Sequence, residues 1–137
     1  MTNKIELSKL LSELEKEGTC TIVQLPIKKE ILVPDEEAER VYNVLKMFSE
    51  QSKLRILLLL HYNGSLPVCI ISKSLGLDQT LVSHHLKLLK EVRLVEFEKA
   101  GKYKLYRLTK FASKIMSTIM KSIIKENLHT EITTKKE

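Results

Sequence analysis

The sequence predicts a mostly α-helical protein that carries one small β-hairpin. Several segments space their apolar residues as an α-helix does, two short helical segments meet at Gly76, and two segments of alternating apolar and polar residues flank Gly101. A helix-turn-helix followed by such a hairpin is a winged helix, which places its second helix in the DNA major groove. We therefore predict a winged helix-turn-helix, dimeric through its terminal helices.

The N-terminal region, residues 1–34, is predicted to be a helix followed by an extended arm. Residues 4–17 have apolar side chains at helical spacing, and Gly18 follows the last of them. The segment after Gly18 is rich in β-branched residues and is interrupted by Pro26 and Pro34. This composition indicates an arm or a short strand that lies on a neighbour.

Residues 35–109 are predicted to form the DNA-binding domain. Asp35 should begin a helix, and residues 52–64 should form a core helix that stops at Asn63-Gly64. Pro67 suits the first turn of the short helix before Gly76, because a first-turn proline loses no intrahelical bond. The expected buried stripe of the helix after Asp35 consists of Val41, Val44, Leu45 and Phe48.

The helix after Gly76, residues 79–92, is predicted to be the recognition helix, with Asp78 as its cap. Its buried side should consist of Leu81, Val82, either His85 or Leu86, Leu88 and Leu89. Its other side offers short hydrogen-bonding groups and positive charge, which a major-groove surface requires. The residues of that side are Gln79, Thr80, Ser83, His84, Lys87 and Lys90.

Residues 94–99 and 103–108 alternate apolar and polar side chains around Ala100-Gly101-Lys102, which predicts the hairpin, or wing. Four basic residues on it are candidates for contacts with the sugar-phosphate backbone. They are Lys99, Lys102, Lys104 and Arg107.

Residues 110–129 are predicted to form a long C-terminal helix, followed by a polar tail at 130–137 that should fray. The apolar stripe of this helix extends beyond the small domain, and no further segment is available to cover it. A partner chain is the simplest cover, so we expect a homodimer. The stripe consists of Phe111, Ile115, Met116, Ile119, Met120, Ile123, Ile124 and Leu128.

The net charge of +6 is concentrated on the predicted recognition helix and wing. Residues 79–110 contain 8 Lys/Arg against 3 Asp/Glu, whereas residues 1–78 contain 10 against 11. This distribution suits binding to the phosphates of double-stranded DNA. The N-terminus lacks the pattern of a signal peptide, and no apolar run approaches the length of a membrane span. We expect a soluble, cytoplasmic protein with no membrane partner.

Two other functional classes fit less well. A winged helix can instead serve as a protein-interaction module in a larger assembly, but such a module does not require a cationic recognition helix. An enzyme is not expected, because the chain has no phosphate-binding loop, nucleophile elbow or paired-carboxylate motif. A metal site at His84-His85 is not expected either, because adjacent helical side chains diverge by about 100°.

Three segments together resemble the ArsR/SmtB family of winged-helix repressors over about residues 38–125. These are LRILLLL, SKSLGLDQTLVSHHLKLL and GKYKLYRL. The resemblance implies a homodimer on an imperfect palindrome, with two recognition helices about 34 Å apart. It supports as base or phosphate contacts the helix residues Gln79, Thr80, Ser83, His84 and Lys87, with Lys102 and Tyr103 in the wing tip. It also implies an interface of first and last helices, formed by Leu7, Leu10, Leu11, Leu14, Ile115, Ile119, Met120, Ile123 and Ile124.

The resemblance also raises the question of a signal that releases DNA. Many family members carry a Cys-x-Cys pair before the recognition helix, and here Cys69 matches its second position while Pro67 occupies the first. The resemblance places Cys20 in an arm that reaches a partner's cysteine helix. Cys20 and Cys69, with His61 or water, could bind a thiophilic metal or metalloid, or they could close a disulfide. A third reading is that the two cysteines have no thiol function.

Overall fold

The structure, a computed structural model, describes residues 3–18 and 26–125. These residues form two compact units that divide between Asn43 and Val44. Within the described ranges, no helix is long and apolar enough to cross a membrane. The mostly helical winged helix-turn-helix predicted from the sequence is confirmed, and it occupies the second unit.

The first unit contains a two-stranded antiparallel sheet and one helix. Strands β1 (Asn3–Glu6) and β2 (Glu30–Val33) pair in register, with Ile5 opposite Ile31. Helix α1 (Leu7–Glu17) follows β1 directly and ends at Gly18, whose left-handed φ of 67° closes the helix. The predicted helix over 4–17 is therefore wrong in its first turn, where pairing with β2 holds the chain extended.

Four of the described helices precede the sheet of the second unit or connect its strands. Helix α2 (Asp35–Ser49) crosses the division between the units, and its first turn carries three carboxylates, which the positive end of the helix dipole stabilises. Helix α3 (Gln51–Asn63) lies at the centre of the core. The helix-turn-helix follows as α4 (Val68–Leu75) and α5 (Gln79–Glu91). The chain then enters the wing and helix α6 (Lys110–Ile119).

The wing is part of a three-stranded antiparallel sheet. Strands β4 (Val95–Ala100) and β5 (Tyr103–Leu108) form the predicted hairpin around Gly101. A two-residue strand, β3 (Leu66–Pro67), pairs with the other edge of β5. Pro67 therefore ends this strand immediately before α4, rather than occupying the first turn of the helix as predicted.

Helix α6 continues into a π-helical turn, Met120–Ile124. The predicted C-terminal helix is confirmed to this point, with Thr109 as its cap, since the Thr109 hydroxyl accepts from the backbone N–H of Ala112. The rest of the predicted helix and the predicted polar tail lie outside the described residues.

The core of the second unit is built from α3, α5 and α6 around completely buried side chains such as Ile56, Leu57 and Leu86. Two expectations about buried stripes are wrong in part. Val41 and Leu45 of α2 are 54% and 48% exposed, and Leu81 of α5 is 41% exposed. The sequence predicted that either His85 or Leu86 would be buried, and both are buried.

The turn between α4 and α5 fixes where the second helix begins. Gly76 ends α4 with a left-handed φ of 65°, and the Ser72 hydroxyl donates to the Leu77 carbonyl. Asp78 then caps α5, because its carboxylate accepts the backbone N–H groups of Thr80 at 2.9 Å and Leu81 at 3.2 Å. These bonds satisfy two of the donors that a helix N-terminus otherwise leaves unpaired.

We expect Asp78→Ala to lower the free energy of unfolding by about 1 kcal/mol, because α5 loses its cap. Asp78→Asn is the matched control, since an asparagine oxygen caps a helix about as well. Denaturant unfolding of the two variants and the unmodified protein measures the difference. Equal losses in both variants would show that the charge of Asp78, and not its cap, is what contributes.

Candidate nucleic-acid interface

Helix α5 presents a continuous polar side to solvent. Its inner side packs into the core through Val82, His85, Leu86 and Leu89. All six residues predicted on the outer side are exposed, namely Gln79, Thr80, Ser83, His84, Lys87 and Lys90. Their types are those that bond to base edges and phosphates in the major groove. The arrangement can therefore present amide, hydroxyl, imidazole and ammonium groups to one groove at once.

The wing separates its charges by strand face. Side chains that face one another across an antiparallel pair lie on the same side of the sheet. Glu96 is opposite Arg107, and the Arg107 guanidinium donates to Glu96 at 3.2 Å and to Glu98 at 3.0 Å. Both carboxylates raise the pKa of Arg107 above its usual range. The predicted phosphate contact of Arg107 thus involves a cation that is already paired.

The opposite face of the wing carries lysines and two aromatic rings. Lys99 is directly opposite Lys104, and Phe97 is opposite Tyr106, with ring centres 5.4 Å apart. The ammonium group of Lys104 lies 4.8 Å from the centre of the Phe97 ring, and that of Lys90, from α5, lies 4.4 Å from it. Phe97 therefore touches basic groups from both the recognition helix and the wing.

The tip of the wing is exposed. Lys102 and Tyr103 are both solvent-accessible, and the Lys102 ammonium lies 5.3 Å from the Tyr103 ring centre. Every residue predicted to contact DNA is thus at the surface of the second unit. The sequence analysis missed Phe97, although its alternation with Lys99 in one strand would have placed the two on one face.

A partly buried polar cluster, with an exposed Glu50 and a buried Lys53 and His85, lies beneath the recognition helix. Lys53 of α3 is only 6% exposed and donates to the Glu50 carboxylate, just before that helix. His85, 5% exposed, has its Nδ1 3.7 Å from the other Glu50 oxygen. That separation is too long for a hydrogen bond, so Nδ1 has no hydrogen-bond partner among the described residues. The cluster brings three ionisable groups against the inner side of α5.

The cluster shifts the pKa values of His85 and Glu50. Burial is the main cause that lowers the pKa of His85, the Lys53 charge lowers it further, and Glu50 opposes them. The hydrogen bond from Lys53 is the main cause that lowers the pKa of Glu50. His85 is therefore neutral at pH 7, and Glu50 and Lys53 form an ion pair.

The side chains considered for metal or thiol chemistry are His84, His85, Cys69 and Cys20. His84 faces solvent while His85 faces the core, as expected for adjacent helical residues. Residues 3–18 and 26–125 contain no group of three His, Cys, Asp or Glu side chains placed to hold a metal. Cys69 is a free, half-buried cysteine near the start of α4, and Cys20 lies outside the described residues.

The comparisons with known proteins agree with this geometry. Residues 50–96, from the start of α3 into β4, match the model of the bacterial regulatory protein, arsR family. The chain is 38% identical over 71 residues to the uncharacterized HTH-type transcriptional regulator MJ1325 of Methanocaldococcus jannaschii, covering 52% of this chain and 80% of that protein. The chain belongs to the ArsR family. It is accordingly a transcriptional regulator of the helix-turn-helix type and not an enzyme.

Two further ArsR-family comparisons bear on its function. The chain is 38% identical over 66 residues to the arsenical resistance operon repressor of Escherichia coli, covering 48% of this chain and little more than half, 56%, of that protein. The homodimeric winged helix-turn-helix DNA-binding domain Mb0332 of Mycobacterium bovis, a possible ArsR-family regulator, matches with a TM-score of 0.62 and 26% identity. That match covers 70% of this chain and 88% of the domain.

The buried histidine generates a prediction about pH. The pKa of His85 is lowered in the folded protein. As the pH falls towards the ordinary value of 6.5, the unfolded chain therefore binds a proton at His85 that the folded chain does not. We expect the free energy of unfolding to fall as the pH is lowered from about 7.5 to 5.5, and this fall to be smaller in His85→Gln. The measurement is denaturant unfolding at several pH values.

His84→Gln is the matched control, because it changes the neighbouring exposed residue and leaves His85 in place. The slope of the free energy of unfolding against pH should stay closer to that of the unmodified protein than the slope of His85→Gln does. The range stays above the ordinary pKa of 4.5 for Glu50, below which protonation of Glu50 adds a second loss of stability. An unchanged slope in His85→Gln would contradict the prediction.

Proposed function

We propose that this ArsR-family regulator is a repressor that binds a palindromic DNA operator as a homodimer in the cytoplasm. The observation that carries the proposal is the exposed polar side of α5, which is continued by the lysines of the wing. A relative of 38% identity is a repressor in Escherichia coli, which supports the same direction of control. Occupation of the operator would exclude the transcription machinery from the promoter.

The residues on this surface have separate proposed roles. Gln79, Thr80 and Ser83 lie in the first turns of α5, where recognition helices contact base edges, and so would provide sequence preference. Lys87, Lys90 and the lysines of the wing would contact phosphates and set affinity and salt dependence. Arg107 would contribute less, because Glu96 and Glu98 already neutralise much of its charge.

The proposed dimer would cover two apolar surfaces. Leu7, Leu10, Leu11 and Leu14 of α1 form a stripe on which no residue is fully buried. On the second unit, Ile123 and Ile124 are 53% and 43% exposed. The same unit has a shallow groove between Leu45 of α2 and the α6 residues Phe111, Ile115 and Ile119. Exposed apolar area of this kind marks an interaction surface, and the homodimeric Mb0332 domain supports a second copy as its occupant.

Binding of the protein to the DNA upstream of its own gene tests the proposal. We expect Lys87→Ala to weaken binding to the operator and to a random duplex alike, and to reduce the slope of log affinity against log salt by about 1. We expect Gln79→Ala to cost about 1–3 kcal/mol on the operator and little on the random duplex. Fluorescence anisotropy titrations at several salt concentrations measure both quantities.

Lys28→Ala is the control, because it removes the same charge from an exposed residue that belongs neither to α5 nor to the wing. Its affinity should match that of the unmodified protein. A uniform loss from Gln79→Ala would contradict its base-reading role. Absence of binding to any duplex by the unmodified protein would refute the proposal and favour a protein-interaction module.

The dimer has its own test. We expect Ile123→Asp to raise the dimer dissociation constant by about 100-fold or more, because an unpaired charge would be buried in an apolar interface. Ser122→Asp, on the same exposed turn but off the apolar stripe, is the matched control. Sedimentation equilibrium measures the constant. Equal dissociation constants in the two variants would place the interface elsewhere.

A thiol-directed release signal through Cys69 and Cys20 stays a prediction. We expect oxidant or a thiophilic metal to release DNA from the unmodified protein but not from Cys69→Ser, since the thiolate would be the reacting group or ligand. The same anisotropy titration, with and without each agent, measures release. Release that is unchanged in Cys69→Ser would remove Cys69 from any sensing role.

A further inference from the structure

We propose that Phe97 is a positioning residue that holds Lys90 and Lys104 as one phosphate-binding unit. We call these three residues the lysine clamp. This inference rests on the proposed DNA-binding function and deepens it. It concerns how the recognition helix and the wing are made to act on the same stretch of DNA backbone.

The first argument is geometric. Lys90 belongs to the last turn of α5 and Lys104 to β5, yet both ammonium groups lie over the ring of Phe97, at 4.4 Å and 4.8 Å from its centre. The ring is itself fixed by Tyr106 on the neighbouring strand, with centres 5.4 Å apart. Two flexible side chains from separate elements thus contact one aromatic ring, an arrangement that the backbone alone would not impose.

The second argument is electrostatic. Two ammonium groups near one ring repel each other, and a third, from Lys99, is directly opposite Lys104 in the sheet, where like charges disfavour pairing. The carboxylates of the hairpin do not relieve this repulsion, because Glu96 and Glu98 lie on the other face and bond to Arg107. An anion at the lysine face would relieve it. A DNA phosphate supplies that anion repeatedly along the backbone.

The third argument concerns the choice of an aromatic ring. A carboxylate would also hold a lysine in place, but it would cancel the charge that a phosphate must meet. An aromatic face attracts the ammonium group and leaves its full charge available. A lysine side chain that is already restrained loses less conformational entropy when it binds. Phe97 would therefore raise DNA affinity without itself contacting the DNA.

A double-mutant cycle tests the clamp. The probe is a fluorescently labelled duplex of about 30 base pairs and random sequence at low salt, since phosphate contacts do not depend on sequence. We expect Phe97→Leu to weaken binding about 3- to 10-fold, because Lys90 and Lys104 would no longer be restrained by the ring. In the background Lys90→Met/Lys104→Met, the same substitution should have no further effect. Phe97→Tyr keeps the ring and should bind as the unmodified protein does.

Salt dependence separates positioning from charge. Phe97→Leu keeps every lysine, so its slope of log affinity against log salt should stay unchanged, whereas Lys90→Met should lower the slope by about 1. Thermal unfolding of each variant identifies any loss that is due to misfolding. If Phe97→Leu fails to fold, the comparison of Phe97→Tyr with Phe97→Trp replaces it, and we expect both to retain affinity while the lysines are present.

The possible outcomes are distinct. An equal loss from Phe97→Leu with and without the two lysines would overturn the clamp, because the ring would then act through the fold alone. Weak binding by both ring-preserving variants would overturn it as well. In either case the unmodified protein still binds the duplex, and the proposed function stands. Absence of binding by the unmodified protein would overturn the proposed function and the clamp together.

Discussion

The packing of the inner side of α5 against the core is the constraint on which the DNA-binding surface depends. Val82, Leu86 and Leu89 are completely buried, and they fix the rotation of the helix about its axis. Because an α-helix turns about 100° per residue, that rotation determines which side chains face outward. The burial of three apolar residues therefore places Gln79, Ser83 and Lys87 on the surface. Asp78 determines where the helix begins.

The cluster of Glu50, Lys53 and His85 adds polar contacts to this apolar packing. Buried ionisable groups contribute little net stability unless they are paired, and Glu50 pairs with Lys53 while His85 stays neutral. A protonated His85 would place a second positive charge near Lys53 in the interior. The inner side of α5 therefore packs against the core with His85 neutral. His84, the next residue along the chain on the N-terminal side, faces solvent and takes no part in that packing.

The local spacing of apolar residues was sufficient to predict elements that bury one side in the core. It was insufficient where an element pairs with a segment far along the chain. The recognition helix and hairpin followed from periodicity, because their buried sides face one core. The strand at Asn3–Glu6 did not, because Ile5 fits both a helical stripe and a strand, and its partner Ile31 lies far along the chain. Leu45 and Leu81 were wrongly assigned to buried positions, since periodicity identifies an apolar side but not what covers it.

The alternation of the wing explains how a hairpin with both signs of charge gathers its lysines Lys99 and Lys104 on one face. Arg107, Glu96 and Glu98 share a face and neutralise one another, whereas Lys99 and Lys104 share the other face with Phe97. A shift of one residue in register would move Lys104 to the face of Glu96 and Glu98 and Arg107 to the face of Lys99, and would destroy the separation. The pairing of Ala100 with Tyr103 at the Gly101 turn fixes that register. The same register places the Phe97 ring where Lys90 of α5 can reach it, so strand pairing and helix packing together determine the positive surface.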